Sequence, residues 1–369
     1  MEIWNQLIEK SRVSSQASAL LASEKCVFAD IETTGLSPKY HHCYLIGCCF
    51  LQENDIILRQ FFCESAAEEK EMLFHFCDFI SSFDQLITFN GRHFDLPFLE
   101  KRCLFHQLQP SFSGIRHLDI YRECQPMKKA LGLLSCRQKA IEKFLGIHRD
   151  DRYDGGELIP VYDSYGKDHD PEKLALLKLH NFEDVLGMTA LLPILAYKQI
   201  PDQVQVTQVD TDSLPADTSF AAVQNPQVII HGTIGVCLPR PLRLHRDNCY
   251  CILEENTFRL SLTLTGGPMK YFIRDYKKYD YLTEEKRIVP KTLSRYVDTS
   301  RKVPATAATC YLEQNGFFLS VPKNLPLPGD VHLFRQTFDE KQSFLLWDSY
   351  VSDKNFLKEY ITVFLRSFL

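Results

Sequence analysis

Three short apolar runs follow one another near the start of this chain, and segments with helical periodicity come after them. The runs lie at 26–31, 44–50 and 56–62, and each has the length of a buried strand. Two further runs, at 86–89 and 117–121, alternate with segments whose apolar residues share one helical face. The helices are expected at 67–82, 95–105, 136–145 and 171–197. Successive strands followed by alternating strands and helices predict an α/β fold, a mixed β-sheet flanked by helices.

A polar segment divides the chain. Residues 200–226 contain no Lys or Arg but several Asp, Ser, Thr and Pro, a composition typical of a solvated linker. Beyond it, period-two alternation over 257–265 indicates β-structure, and the Gly-Gly pair at 266–267 and the Asn-Gly pair at 315–316 predict hairpin turns. We predict a helical extension at 1–24, an α/β domain at 25–200, a linker at 201–226, and a smaller β-rich (α+β) domain with a C-terminal amphipathic helix at 227–369.

The composition argues against several classes of protein. Of the 369 residues, 45% are hydrophobic and 24% charged, as in ordinary globular domains. No apolar run approaches the roughly 18 residues of a membrane-spanning helix, and the first residues lack the apolar run of a signal peptide. The 13 cysteines never form a CxxC pair, so reduced thiols are expected rather than a disulfide framework or a zinc site. We therefore expect a cytoplasmic protein without a membrane partner.

Four carboxylates stand where metal chemistry is expected. Asp30 and Glu32 follow a buried apolar run, and residues two apart on a strand share a face. Neighbouring carboxylates repel each other unless a cation lies between them, and oxygen ligands suit Mg²⁺ or Mn²⁺; the alternative is that the strand has ended and both acids are solvated. Asp95 opens a helix, where capping alone would also explain it. Asp184 lies within a long helix and shares a face with His180, four positions earlier.

In this order, these residues resemble the three exonuclease motifs of the DEDD superfamily. The motifs correspond to the segments DIETTG at 30–35, NGRHFD at 90–95 and HNFED at 180–184. Within that superfamily the chain most resembles the YprB-like predicted exonucleases, also over 146–165, and the resemblance covers roughly residues 25–198. It implies a ribonuclease H-like fold and a metal-dependent 3′–5′ exonuclease, a hydrolase acting on the phosphodiester bonds of DNA or RNA.

The resemblance also implies a two-metal mechanism. Two Mg²⁺ or Mn²⁺ ions, roughly 4 Å apart, would be held by Asp30, Glu32, Asp95 and Asp184; one lowers the pKa of a bound water and the other stabilises the leaving 3′ oxygen. His180 occupies the place of the residue that positions the attacking water, and imidazole also accepts a proton near neutral pH. In similar proteins a histidine usually stands one residue farther from the aspartate, a difference of about 100° around the helix. A histidine hydrogen-bonded in the core is therefore the alternative for His180.

Seven further residues are predicted to contact nucleic acid. Thr33 and Leu36 follow the two acids of the first motif and Asn90 opens the second, positions that similar proteins use around the terminal nucleotide. An ordinary turn or helix cap would explain these three equally well. Residues 101–149 carry ten Lys or Arg against three acids. The phosphate-binding candidates within that block, for which a solvated helical face is the alternative, are Lys128, Lys129, Arg137 and Lys139.

The second domain has a basic stretch of its own. Between 240 and 302 there are fourteen basic residues and eight acids, although the whole chain has a net charge of −5. Within it, residues 270–281 interleave cations with aromatic rings, as in single-strand binders, or else are tyrosines packed on a sheet. The expected partner is nucleic acid, with a single-stranded 3′ end, and a protein partner is conceivable through the second domain. The alternative function is a nucleic-acid-binding or scaffold protein that keeps the fold with little or no turnover.

Overall fold

A computed structural model describes residues 1–110, 112, 114–148, 155–211, 214, 226–327, 329 and 331–369. The chain forms two compact units, Met1–Lys198 and Gln199–Leu369. The limits predicted for the exonuclease domain and the accessory domain stay predictions. Half of the expected linker, together with 149–154 of the segment that resembles the YprB-like group, lies outside the described residues.

The first unit is built on a six-stranded mixed sheet. Its strands are β1 (Glu2–Ile8), β2 (Cys26–Thr33), β3 (Cys43–Gln52), β4 (Asp55–Phe62), β5 (Gln85–Thr88) and β6 (Arg116–Asp119). Across the sheet their order is β1-β4-β3-β2-β5-β6. The first four pair antiparallel, whereas β2, β5 and β6 run parallel. This is the mixed sheet that the alternation of strands and helices predicted, and the fold class is confirmed.

Helices cover this sheet. In the described part of the unit they are α1 (Ser15–Ser23), α2 (Glu69–Ile80), α3 (Asp95–Phe105), α4 (Ile120–Cys124), α5 (Gln138–Leu145), α6 (Gly155–Asp168), α7 (Pro171–Leu191) and the start of α8 (Ala196–Gln199). Helix α7 begins where the side chain of Asp170 accepts the backbone N–H of Glu172 at 2.9 Å. It packs on β2, β3 and β4, so its residues face the middle of the sheet.

The core of the first unit lies on both sides of β3. Every residue from Cys43 to Phe50 is buried, the pattern of a strand covered on both faces. Side chains from α2 and α3, including Phe76 and Leu99, join this core. All thirteen cysteines are thiols rather than disulfides, and all except Cys237 are buried. In the described residues, no helix is long and apolar enough to cross a membrane.

The first 24 residues differ from the expected helical extension. Glu2–Ile8 forms strand β1, and only Ser15–Ser23 is an α-helix. Strand β1 pairs antiparallel with β4, from Glu2 opposite Phe62 to Ile8 opposite Ile56. It is an edge strand whose residues are mostly exposed, so it lacks the apolar alternation that marks a strand in a sequence.

The second unit is β-rich, as predicted. Its strands are β7 (Val204–Asp210), β8 (Gln227–Ile234), β9 (Leu242–Arg246), β10 (Cys249–Glu254), β11 (Thr257–Thr263), β12 (Thr265–Phe272), β13 (Tyr279–Leu282), β14 (Arg287–Pro290), β15 (Lys302–Pro304), β16 (Tyr311–Ser320), β17 (Phe334–Arg335) and β18 (Phe344–Leu346). They form a five-stranded sheet in the order β7-β8-β11-β10-β9, a closed barrel β12-β16-β18-β17, and a three-stranded sheet β14-β13-β15. Two helices complete the described part of the unit, α9 (Lys291–Ser294) and α10 (Lys354–Arg366). Helix α10 packs its apolar stripe on the five-stranded sheet, with the Tyr360 hydroxyl 3.7 Å from Cys249 Sγ.

Two predictions about this unit are wrong. The Gly-Gly pair at 266–267 is not a turn, because β11 and β12 belong to different sheets and the pair lies inside β12. The Asn-Gly pair at 315–316 lies inside β16, where Gly316 pairs with Gly267 of the neighbouring strand β12. A Cβ at Gly316 would come within 2.6 Å of Leu346 Cδ1, so this glycine serves close packing rather than chain reversal. The expected linker also contains a strand, β7, which pairs with β8.

Candidate metal centre

Asp30 and Glu32 project from one face of β2, toward α7. The side-chain amide of Asn181 on α7 donates to Asp30 Oδ2 at 3.3 Å. His180 Nε2, also on α7, lies 3.5 Å from Glu32 Oε1. The structure therefore brings the two acids of the first motif to the helix that carries the third.

His180 lies between two carboxylates. Its Nε2 is 3.5 Å from Glu32 Oε1 and 3.3 Å from Asp184 Oδ2, and the side chain is 3% exposed. One ligand atom from each of these three residues lies within 4.8 Å of the others. Although its spacing from Asp184 differs from the usual one, the ring faces the acidic cluster, and one nitrogen is placed to bind a cation or a proton there.

Asp95, at the start of α3, lies beside this group of three residues, not within it. Its carboxylate accepts a hydrogen bond from the backbone N–H of Ile31, between the two acids of the first motif. Burial, and to a smaller extent the nearby charges of Asp119 and Asp184, raise the pKa of Asp95 to about 7 against the opposing effect of the backbone hydrogen bonds. A buried carboxylate beside like charges favours a bound cation, which relieves the repulsion.

Two side-chain amides connect Asp30 to the interior of the sheet through hydrogen bonds. Asn181 is fully buried, and its Oδ1 accepts from Gln60 Nε2 at 3.0 Å while its Nδ2 donates to Asp30. Asp30, Gly47 and Gln60 are direct neighbours across β2, β3 and β4. A Cβ at Gly47 would lie 2.2 Å from Asn181 Oδ1, so glycine makes room for the amide. Sequence reasoning missed Asn181 and Gln60, although a glycine within an apolar strand is a signal of close approach.

Asp119 shapes the second motif and was also missed. This buried carboxylate at the end of β6 accepts the backbone N–H of Asn90 at 2.9 Å and of Arg92 at 3.1 Å. It also accepts the N–H of Tyr121 and so caps the start of α4. Of these roles, only the helix cap could be predicted from the sequence. Asn90 has a left-handed backbone, with φ of 63°, and its N–H is tied to this carboxylate.

The predicted contacts around the terminal nucleotide occupy the surface next to the first and second motifs. Thr33 Oγ1 donates to the Gly35 carbonyl at 3.0 Å, which holds the turn after β2. Leu36, 84% exposed, follows that turn, and Asn90 is half-buried. The positions of Thr33, Leu36 and Asn90 fit both a turn and a contact surface, so their role stays a prediction.

The predicted phosphate contacts fall into two pairs. Gln138, the first residue of α5, donates from Nε2 to the Asp184 carbonyl at 3.0 Å. Arg137 and Lys139 flank that residue and are exposed, so the start of α5 brings cations beside the third motif. The other pair lies in the turns after α4, where Lys129 is exposed and Lys128 half-buried. Nothing in the geometry assigns these two a contact with the acidic cluster.

The donor set fits a hard divalent cation. Carboxylate oxygens of Glu32 and Asp184 and a ring nitrogen of His180 lie within 4.8 Å of one another, and Asp30 and Asp95 add carboxylates nearby. Oxygen ligands are those that Mg²⁺ and Mn²⁺ prefer. The buried position of Glu32 and Asp95, both 7% exposed, makes two negative charges there costly without a cation. The cluster therefore has both the ligand chemistry and the electrostatic demand of a metal site.

Comparison with known proteins places the first unit in a family. Residues 27–196 match RNase_H_2, a family of the RNase_H superfamily. Over 175 residues the chain is 30% identical to the uncharacterized protein MJ0365 of Methanocaldococcus jannaschii; this covers 45% of the chain and 92% of that protein.

Solved structures that match part of the chain include a DNA polymerase and an exonuclease. The family B DNA polymerase of Pyrobaculum calidifontis is 15% identical, with a TM-score of 0.38, and the match covers 48% of this chain and 26% of the polymerase. A product-bound structure of exonuclease I is 14% identical, with a TM-score of 0.28, and the match covers 62% of this chain and 58% of exonuclease I. The chain thus spans about a quarter of the first protein and somewhat over half of the second.

Proposed function

The chain belongs to the RNase H superfamily, and from that membership and its acidic cluster we propose that it is a metal-dependent 3′–5′ exonuclease acting on DNA or RNA. One observation carries the proposal: side chains from β2 and α7 meet with Glu32, His180 and Asp184 ligand atoms within 4.8 Å of one another. Asp95 reaches the same strand through the backbone N–H of Ile31. Carboxylates are rarely buried unless they are paired or bind a metal.

In this proposal, the residues at the site have different roles. The metal ligands in this proposal are Asp30, Glu32, Asp95 and Asp184. Bound divalent ions would supply an activated water and neutralise the charge that develops on the phosphate. His180, with Nε2 near two of these carboxylates, orients the attacking water and holds its proton. The exposed Arg137 and Lys139 attract the phosphates of the strand.

A labelled oligonucleotide tests the proposal. With Mn²⁺, we expect the wild-type chain to shorten a 5′-labelled single strand from its 3′ end and Asp30→Asn to lose at least about 100-fold in rate. Asp78→Asn is the matched control, because Asp78 is an exposed acid on α2 outside the cluster, and it retains wild-type activity. DNA and RNA strands of equal sequence are assayed in parallel to identify the substrate.

A circular single strand separates the modes of cleavage. An exonuclease leaves the circle intact, whereas cleavage of the circle would show endonuclease action. Failure of the wild type to cleave any strand in Mg²⁺ or Mn²⁺, or equal cleavage by Asp30→Asn, would overturn the proposal. Tight oligonucleotide binding without cleavage would support a binding protein instead.

A further inference from the structure

A cleft at one end of the barrel in the second unit combines aromatic rings with cations. It has a volume of about 660 Å³. The last two residues of β12, Tyr271 and Phe272, line it together with Arg274, which follows that strand. His332 and Phe338, on either side of β17, also line it.

The aromatic rings of the cleft include two that are exposed and are held by contacts with neighbouring rings. Tyr271 stacks on His332, with ring centroids 4.2 Å apart and an angle of 27° between the rings. Phe272 meets Phe338 edge to face, at 5.5 Å and 72°. Tyr271 also packs against the barrel core, so its position is set, whereas His332 and Phe338 are exposed. Such rings are platforms on which a planar ligand can stack.

The cations at the cleft point to an anionic ligand. Arg274 is exposed and makes no hydrogen bond or ion pair with the residues that the structure describes. Arg335 donates to the Phe338 carbonyl at 3.4 Å and so holds the segment that carries this ring. The surrounding stretch, 240–302, has fourteen basic residues against eight acids. Stacking platforms with an unpaired cation such as Arg274 beside them are complementary to bases joined by phosphates.

We propose that this cleft binds single-stranded nucleic acid, with bases stacked on His332 and Phe338 and a phosphate on Arg274. It shares no residue with the metal centre and needs no turnover, so it goes beyond the proposed exonuclease activity. The structure also refines the sequence-based expectation for 270–281: Tyr271 and Phe272 lie at the cleft, whereas Tyr279 and Tyr281 lie in β13 of another sheet. A duplex is excluded from this mode because its bases are already stacked on one another.

Fluorescence anisotropy with the full chain tests this site. A labelled 15-nucleotide oligo-dT is titrated in EDTA, so that the result is independent of hydrolysis. Phe338→Ala is expected to weaken binding at least about fivefold, and Phe338→Tyr to restore it, since any aromatic face supports stacking. Arg274→Ala is expected to lower the slope of log K against log salt by about 0.7, the loss of one phosphate contact.

Tyr296→Ala is the matched control, because this residue is an aromatic of the same unit, 83% exposed, with Arg295 beside its ring. It is expected to bind as the wild type does. Circular dichroism and thermal unfolding of each variant establish that it is folded. The proposal is overturned if Phe338→Ala binds like Tyr296→Ala, if duplex DNA binds as tightly as the single strand, or if the wild type does not bind. None of these outcomes depends on whether the chain cleaves nucleic acid.

Discussion

Asn181 connects the interior of the sheet to the candidate metal centre. It is fully buried on α7, and its amide links Gln60 of β4 to the carboxylate of Asp30. An amide has a donor and an acceptor end, so the hydrogen bond from Gln60 fixes which end faces Asp30. The carboxylate is thereby held in one orientation before any cation arrives, and a preorganised ligand binds metal more tightly than a mobile one.

Removal of this amide should weaken metal binding more than it weakens the fold. For Asn181→Ala we expect the affinity for Mn²⁺ to fall about 10- to 100-fold, the usual effect of losing a residue that orients a ligand. The free energy of unfolding should fall by about 1–3 kcal/mol, because the Gln60 amide loses a buried partner. Calorimetric titration with Mn²⁺ and urea unfolding in EDTA measure the two effects separately.

Thr189→Val provides the control for this variant. Thr189 is fully buried on the same helix, and its hydroxyl donates to the Leu186 carbonyl at 2.6 Å, away from the acids. Its replacement should change stability without changing the affinity for Mn²⁺. Unaltered Mn²⁺ affinity in Asn181→Ala would show that Asp30 does not depend on the amide.

The spacing of residues in the sequence revealed the acids but not the amides that hold Asp30 in place. Asp30 and Glu32 share a strand face, and His180 and Asp184 share a helix face, so both pairs are visible from local periodicity. The contact between Asn181 and Gln60 joins residues 121 positions apart, and no local pattern marks it. The roles of the acids stay predictions until activity is measured.

At the scale of elements, Glu69 holds two helices and a strand together. This carboxylate of α2 is fully buried and accepts from Arg102 Nε on α3 at 3.0 Å and from the Cys43 backbone N–H on β3 at 2.9 Å. His106 Nε2 lies 2.8 Å from it. Arg102 also donates to the Pro38 carbonyl, so the network reaches the loop that follows the first motif.

The same network makes stability depend on pH. Burial raises the pKa of Glu69, but the hydrogen bonds from Arg102, His106 and the Cys43 N–H outweigh it and leave the pKa below its usual value. An unfolded glutamate titrates near pH 4.3, so the ion pair contributes fully above about that pH, and the contribution is lost as the pH falls through the folded pKa. Acid should therefore loosen α2 from α3.

Glu69→Gln should remove this dependence. We expect its free energy of unfolding at neutral pH to fall by about 3–5 kcal/mol, since Arg102 is left as a buried charge without its partner. Its loss of stability on acidification should also be smaller than that of the wild type. Urea unfolding across the acid range measures both, with Glu71→Gln, an exposed change on the same helix, as control. Equal stability of the two variants at neutral pH would show that the ion pair of Glu69 and Arg102 does not stabilise the fold.

Elements were predicted well where their own residues specify them. The strands β2, β3 and β4 are nearly continuous apolar runs, and α3 has the predicted limits. In contrast, β1 depends on its pairing with β4, and β12 and β16 run through Gly-Gly and Asn-Gly pairs that usually mark turns. Long-range pairing overrode local turn preference in the barrel, where Gly316 leaves room for the side chain of Leu346.

At the scale of the whole molecule, the net charge of −5 is not shared evenly: Met1–Lys198 has 22 basic and 28 acidic residues, whereas Gln199–Leu369 has 20 and 19. The four acids of the candidate centre all belong to Met1–Lys198, whereas the cations of the barrel cleft belong to Gln199–Leu369. Divalent cations are thus expected to bind only the first unit, whereas the second unit offers a further site for single-stranded nucleic acid. A ligand that binds only the folded form of one unit stabilises that unit alone, unless the two unfold together.

Metal should therefore protect the first unit selectively. At about 100 times its Kd, Mn²⁺ raises the free energy of opening by about 2.7 kcal/mol for a site that exists only in the folded state. Hydrogen exchange of the full chain, read by mass spectrometry, should show slower exchange in β2 and α7 and unchanged exchange in the five-stranded sheet. Asp184→Asn should abolish the effect because a ligand from α7 is lost. Equal protection of both units would show that they unfold together, and protection that survives Asp184→Asn would place the cation elsewhere.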